Sequence, residues 1–182
     1  MEQVVLVNEK DEHIGEMEKM QAHREGKLHR AVSVLIFNKQ GDMLLQQRAF
    51  LKYHTPGLWT NACCTHPRLG ENEIDAASRR LQEEMGITVP LTKIFDFIYK
   101  AGFDNGLTEY EFDHVFTGIA EKEPNPDPQE VNACKFVPMQ VLVDDISRYP
   151  DNYTPWFKII MKELQIHAPQ LFPLGFKKNR VK

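Results

Sequence analysis

The run AVSVLIF at 31–37 constrains the fold more than any other stretch of the chain. Successive strand residues point to opposite faces. Here both parities are apolar, so a strand at this place must be covered on both sides. The chain then passes through NKQG at 38–41 into DMLLQQR at 42–48, a strand–turn–strand signal. A short strand is expected at 3–8, with further strand-like runs near 94–100, 109–119 and 131–137. Helical periodicity marks 72–85, 138–147 and 155–165. In the first of these, Ile74, Ala77, Ser78, Leu81 and Met85 form the expected buried stripe, with Arg80, Glu83 and Glu84 on the opposite face. Asn72 is the expected N-cap and Gly86 the expected stop. The basic tail FKKNRVK at 176–182 is expected to fray. This mixture predicts an α+β class in which helices sandwich a mixed β-sheet, with residues 1–182 forming a single domain.

Composition narrows the function. Among 182 residues, 42% apolar and 26% charged is an ordinary soluble balance. A net charge of −4 argues against a general nucleic-acid surface. No run approaches the roughly 20 apolar residues of a membrane span, and the start MEQVVLVNEKDEH lacks the basic and apolar parts of a secretory signal. Cys63, Cys64 and Cys134 are odd in number and two are adjacent, so reduced thiols in the cytoplasm are expected rather than a disulfide framework. No heptad demands a partner, and a monomer is expected.

Four groups of residues stand out. Glu109 and Glu111 have period two, so on a strand both carboxylates face one way. His23, His29 and His66 could join them as nitrogen ligands of Mn²⁺, Zn²⁺ or Mg²⁺; spacing alone favours surface histidines beside a solvated acidic strand. The segment TNACCTHP at 60–67 places a cysteine two residues before His66 in a constrained loop, although a free cysteine is usually a buried structural thiol. Arg80 and Glu84, four apart on a helix, form either a surface ion pair or a metal–phosphate face. Lys19, Arg48, Lys52 and Arg80 could clamp a diphosphate, but spacing does not show that they converge.

These pieces occur together in the order Glu18-Lys19, His23, Leu28-His29, Trp59-Thr60-Asn61, Cys64-x-His66-Pro67 and Glu109-x-Glu111. In that order they resemble the type I isopentenyl-diphosphate Δ-isomerases, a branch of the Nudix fold. The resemblance runs from Val7-Asn8 to Thr154-Pro155-Trp156. Helix 72–85 is similar to a degenerate Nudix box. Glu71, Arg79, Glu83 and Glu84 match the hydrolase pattern, while Thr65 stands for its glycine and Arg80 for its first glutamate.

The resemblance implies a Nudix-like sheet between helices, and it implies roles. His23, His29, His66, Glu109 and Glu111 would hold a protein-bound Mn²⁺, Mg²⁺ or Zn²⁺. Glu84 would hold a second ion, Mg²⁺, that also touches the substrate. Lys19, Arg48, Lys52 and Arg80 would bind the diphosphate of a small isoprenyl substrate. Cys64 and Glu111 would act as the opposed acid and base, with Tyr99 and Trp156 as active-site aromatics. The implied chemistry converts isopentenyl to dimethylallyl diphosphate. Glu111, assisted by Tyr99, protonates the terminal carbon, and Cys64 as thiolate removes a proton from C2; the roles exchange in reverse. Two readings remain beside it. One is a Nudix pyrophosphohydrolase, disfavoured by Arg80 and Cys64. The other is a non-catalytic phosphate- or metal-binding module.

Overall fold

The structure, a computed structural model, describes residues 2–52, 54–103 and 105–172. The expected frayed tail at 176–182 lies outside them. In chain order the strands are β1 (Gln3–Val7), β2 (His13–Glu18), β3 (His29–Phe37), β4 (Met43–Arg48), β5 (Trp59–Thr60), β6 (Cys63–Thr65), β7 (Thr92–Gly102), β8 (Thr108–Ile119) and β9 (Val131–Val137). The helices are α1 (Lys19–Glu25), α2 (Glu73–Met85), α3 (Met139–Arg148) and α4 (Pro155–His167), with 3₁₀ turns at Pro150–Asn152 and Pro169–Leu171. The strands form one mixed sheet. Its spine is the parallel pair β3–β8, in register from His29↔Glu111 to Phe37↔Ile119.

Strand β3 is buried along its whole length apart from a half-buried Arg30, as its doubly apolar sequence requires. Leu35 and Phe37 enter a core with α3 and α4. Val32, Val34 and Ile36 enter a second core with α2 on the other face. Helices therefore cover both faces, and each fully buried large apolar side chain such as Leu35 or Phe157 stabilises by about 1.5–3 kcal/mol. The hairpin β3–β4 shares a single Cα pair, Phe37↔Met43. Beyond it the strands diverge, β3 taking β6 as neighbour and β4 taking β5 and β9.

Helix α2 departs from the expected stripe. Ile74 and Ser78 are exposed, and Ala76, Ala77, Leu81, Glu84 and Met85 are buried. The register is shifted by a short step because Glu84, expected on the solvated face, turns inward. Asn72 caps the helix by accepting from the Asp75 amide at 2.9 Å. Gly86 ends it in the left-handed region at φ +65°. A Cβ there would stand 2.5 Å from the Asn125 carbonyl oxygen.

Gly86 thus carries two constraints, backbone sign and close approach, whereas Gly41 at φ +84° meets nothing within 4 Å. Left-handed backbone costs a non-glycine residue about 1–3 kcal/mol. Gly86→Ala is expected to lose more stability than Gly41→Ala, by about 1 kcal/mol or more, in urea denaturation. Equal losses would mean that the Asn125 contact relaxes freely.

Candidate active site

The inward face of β3 and β8 changes character along its length. Leu35, Phe37 and Val115 are core, whereas His29 and Ser33 on β3, with Glu109, Glu111 and Asp113 on β8, share their parity and are buried polar groups. The parallel register sets His29 beside Glu111. His66, just beyond β6, places Nε2 at 3.2 Å from His29 Nε2 and 3.1 Å from Glu111 Oε1. The His29 Nε2–Glu111 Oε1 distance is 3.6 Å. His23 comes from α1, a short helix capped by the Glu18 carboxylate, which accepts from the Met20 and Gln21 amides. Ligand atoms of His23, His29, His66 and Glu111 all lie within 4.8 Å of one another.

This donor set fits a divalent ion. A carbonyl can only accept, so the contacts of His23 Nδ1 to the Lys19 carbonyl (2.7 Å) and His29 Nδ1 to the Lys27 carbonyl (2.8 Å) put the proton on Nδ1. The Nε2 lone pairs are left facing inward, the arrangement in which histidine binds metal. Burial lowers the pKa of His23, and lowers that of His66 to about 4, so both rings are neutral. Burial opposes the Glu111 charge, but the adjoining His29 and His66 rings hold its carboxyl well below the usual range. Contacts of 3.1–3.6 Å match the edges of a coordination shell whose bonds are about 2.1 Å long.

Glu109, expected as a fifth ligand, stands beside this group rather than in it. Its carboxylate lies 3.1 Å from the Tyr99 hydroxyl and 3.4 Å from His54 Nε2. Tyr99, paired with Glu111 across β7–β8, donates to Glu111 Oε2 at 2.7 Å. Burial and the neighbouring Glu111 charge push the Glu109 pKa well up. A second cluster, Asp11, Glu73 and His114, also has metal-like spacing. Arg30 already bridges its two carboxylates, with Nε 2.7 Å from Asp11 and Nη1 3.0 Å from Glu73.

A cavity of about 520 Å³ opens over the first cluster. It is lined by every residue expected at the site except His29, which is fully buried behind it. The four cations do converge, and three of them arrive paired with carboxylates. Lys19 meets Glu2 at 3.1 Å, Lys52 meets Glu130, and Arg80 reaches Glu84 (2.5 Å), Glu83 (2.9 Å) and Glu130 (3.4 Å). Glu84 is 5% exposed and also accepts from Gln46 Nε2 at 2.9 Å, which explains its inward turn. Burial raises the Glu84 pKa, and Arg80 works against that rise. Arg48 lies 5.2 Å from the Trp156 ring centroid.

Adjacent cysteines point to opposite layers. Cys63 is wholly buried in the α2 core, whereas Cys64 packs against the α3–α4 core and lines the cavity. Burial pushes both thiols up, Cys64 also through Asp113. Trp156 is placed by Thr154, which precedes α4. The Thr154 amide donates to the Trp59 carbonyl at 3.0 Å, and its hydroxyl bonds that of Thr60 at 3.0 Å.

Sequence reasoning missed several groups. Glu2 and Glu130 are remote partners that no local pattern announces. His54, which carried no role, lines the cavity 5.6 Å from the Trp156 ring. Asp113 was legible, since it continues the period-two acids of Glu109 and Glu111.

Comparison with known proteins agrees with this architecture. The NUDIX domain family matches residues 27–157. The MutT NUDIX hydrolase from Burkholderia pseudomallei superposes with a TM-score of 0.60 at 20% identity, over 75% of this chain and 98% of that one. The Nudix hydrolase RenU from M. smegmatis gives 0.58 at 17%, over 94% and 98%. These likenesses show the fold, that of a NUDIX-domain protein.

The sequence relatives are more specific. An isopentenyl-diphosphate Delta-isomerase of Serratia proteamaculans is 47% identical over 163 residues, 90% of this chain and 91% of that protein. Isopentenyl-diphosphate Delta-isomerase 2 of Photorhabdus laumondii is 50% identical over 161 residues, 88% and 91%. The chain belongs to this isopentenyl-diphosphate Delta-isomerase family. The type I label expected from the motifs is corrected. The relatives' names do not carry it, some bearing the numeral 2 and others the numeral 1 or none, and the assignment rests at the isomerase family with a NUDIX domain.

The two histidine clusters make different predictions. Calorimetric titration with Mn²⁺ is expected to show a tight site that His29→Ala weakens by about 100-fold or more. His114→Ala is expected to leave it unchanged, because Arg30 already occupies that second cluster. Equal weakening by both variants would show that the ion sits elsewhere.

Proposed function

We propose that the chain interconverts isopentenyl and dimethylallyl diphosphate by protonation and deprotonation, with Cys64 and Glu111 as the acid/base pair. The observation that carries this reading is one cavity that holds both groups, an indole and a set of cations. Cys64 on β6 and Glu111 on β8 reach that cavity from different strands, so one can deliver a proton while the other removes one. That is what moving a double bond by a net proton relocation requires. Tyr99 donates to Glu111 and extends the proton network on that side.

Protonating the alkene makes a tertiary carbocation. The Trp156 face can stabilise it by about 1–2 kcal/mol when water is excluded. Trp156 is 3% exposed and belongs to the α3–α4 core, so its indole is held in place by apolar packing where it meets the cavity. Exclusion of water also protects the cation from capture as an alcohol.

The diphosphate anchors the substrate at Lys19, Arg48, Lys52 and Arg80 and positions the alkene. Because Lys19, Lys52 and Arg80 are partnered by Glu2, Glu130 and Glu84, the ligand must bring compensating charge. Mg²⁺ held by Glu84 alongside the diphosphate is the natural partner. His23, His29, His66 and Glu111, with Glu109 joining them, would hold Mn²⁺, Mg²⁺ or Zn²⁺, which supplies a fixed positive charge beside Glu111. The working state is read as a cytoplasmic monomer, with the three cysteines free thiols, as a reducing compartment keeps them. Among the described residues no helix is long and apolar enough to cross a membrane.

Incubation with isopentenyl diphosphate and a divalent ion is expected to yield dimethylallyl diphosphate without phosphate release. Release of phosphate would favour the pyrophosphohydrolase instead. Cys64→Ser is expected to lower kcat by about 10²–10⁴-fold with substrate affinity retained. Cys63→Ala is expected to cost only about 1 kcal/mol of stability, and near-normal turnover in Cys64→Ser would sink the acid/base assignment.

Arg80→Glu tests the other end of the cavity. It removes a charge-assisted contact, commonly about 1.5–3 kcal/mol, and adds a carboxylate beside Glu84. KM is expected to rise by at least roughly tenfold. An unchanged KM would reduce Arg80 to a surface partner of Glu84.

A further inference from the structure

Behind Cys64 lies a polar pair that neither the fold nor the mechanism above uses. Ser33 and Asp113 are 2% and 1% exposed. The Ser33 hydroxyl donates to Asp113 Oδ2 at 2.7 Å and lies 3.4 Å from Cys64 Sγ. On the other side, Cys64 Sγ donates to Asn61 Oδ1 at 3.2 Å. The Asn61 amide is locked, since its Nδ2 donates to the carbonyls of Cys63 (2.8 Å) and Val34 (3.2 Å). The sulfur is therefore seated between two fixed oxygens.

This seat is costly to build. Toward the core the same face of β3 and β8 is apolar, with Leu35, Phe37 and Val115. Asp113 Oδ1 is buried without a hydrogen-bond partner among the described residues. A buried unsatisfied carboxylate oxygen destabilises a fold, so packing alone gives no reason for it here. Its geometry has another consequence. Tied to Asp113 on one side, the Ser33 oxygen is fixed against Cys64 Sγ on the other, where either atom can donate.

We infer that Ser33, held by Asp113, is a positioning residue that together with Asn61 fixes the direction of the Cys64 sulfur into the cavity. The inference rests on the acid/base role of Cys64 proposed above. Ser33 does not line the cavity and touches no substrate; it acts through Cys64. The two-sided seat removes the freedom of χ1 rotation that would turn the sulfur away from C2.

Steady-state kinetics and thermal unfolding of the metal-loaded enzyme test this. Ser33→Ala is expected to lower kcat by about tenfold to hundredfold with KM within about threefold, because a displaced reacting atom costs rate rather than binding. Ser33→Thr keeps the oxygen and suits a strand, and is expected to restore most of kcat. The double variant Ser33→Ala/Asp113→Val removes the whole polar pair. It is expected to unfold at the same or a higher temperature than the parent and still turn over slowly. Recovery of kcat in the double variant would show that the seat is only structural. Normal kcat in Ser33→Ala alongside an inactive Cys64→Ala would overturn the positioning role and leave the acid/base reading intact. An active Cys64→Ala would overturn that reading itself.

Discussion

The site depends on the parallel register between β3 and β8. His29↔Glu111 is its first pair, and side chains alternate with a period of two. A slip of one residue would send Glu109, Glu111 and Asp113 to the α2 face and bring Tyr110, Phe112 and His114 inward. The register is held at its far end by apolar contacts: Leu35, Phe37 and Val115 on one side and Val34, Ile36 and Phe116 on the other. The chemistry at one end of the strands is therefore aligned by hydrophobic burial at the other.

Such a site works against stability. His29, Glu109, Glu111 and Asp113 lie in a setting where ionised groups cost several kcal/mol each unless paired. The protein manages this in two ways. Glu111 is hydrogen-bonded with the His66 imidazole and the Tyr99 phenol, and Glu109 shifts toward its neutral form. Apolar packing of α2 on one face and of α3 and α4 on the other carries the fold while the polar patch is maintained.

Much of this was legible in the sequence, for identifiable reasons. The doubly apolar run at 31–37 required a strand covered on both sides, and β3 has it. Asn72 bounds α2 through its side-chain cap and Gly86 through its left-handed backbone, as their residue types predict. Strand β2 and helix α1 were not visible: His13–Glu18 is exposed or half-buried throughout, and seven residues are too few to show a helical period. The α2 stripe was misplaced because Glu84 was assigned to solvent by its charge, whereas Arg80 and Gln46 satisfy it inside. The histidines and acids could be named one by one, but their convergence, and the standing of Glu109 to one side, are tertiary facts.

The pairing of cavity cations with Glu2, Glu83, Glu84 and Glu130 has a consequence for selectivity. The resident carboxylates are tethered, and so act on their lysines and arginines at the high effective concentration of an intramolecular partner. A mobile anion such as orthophosphate must compete with that tethered acid. A diphosphate arriving with its own cation exchanges partners instead: the incoming metal engages a displaced carboxylate while the phosphate oxygens engage the freed base. The cavity thus works as an ion exchanger rather than an anion trap, and it selects ligands by whether they bring both halves of the exchange.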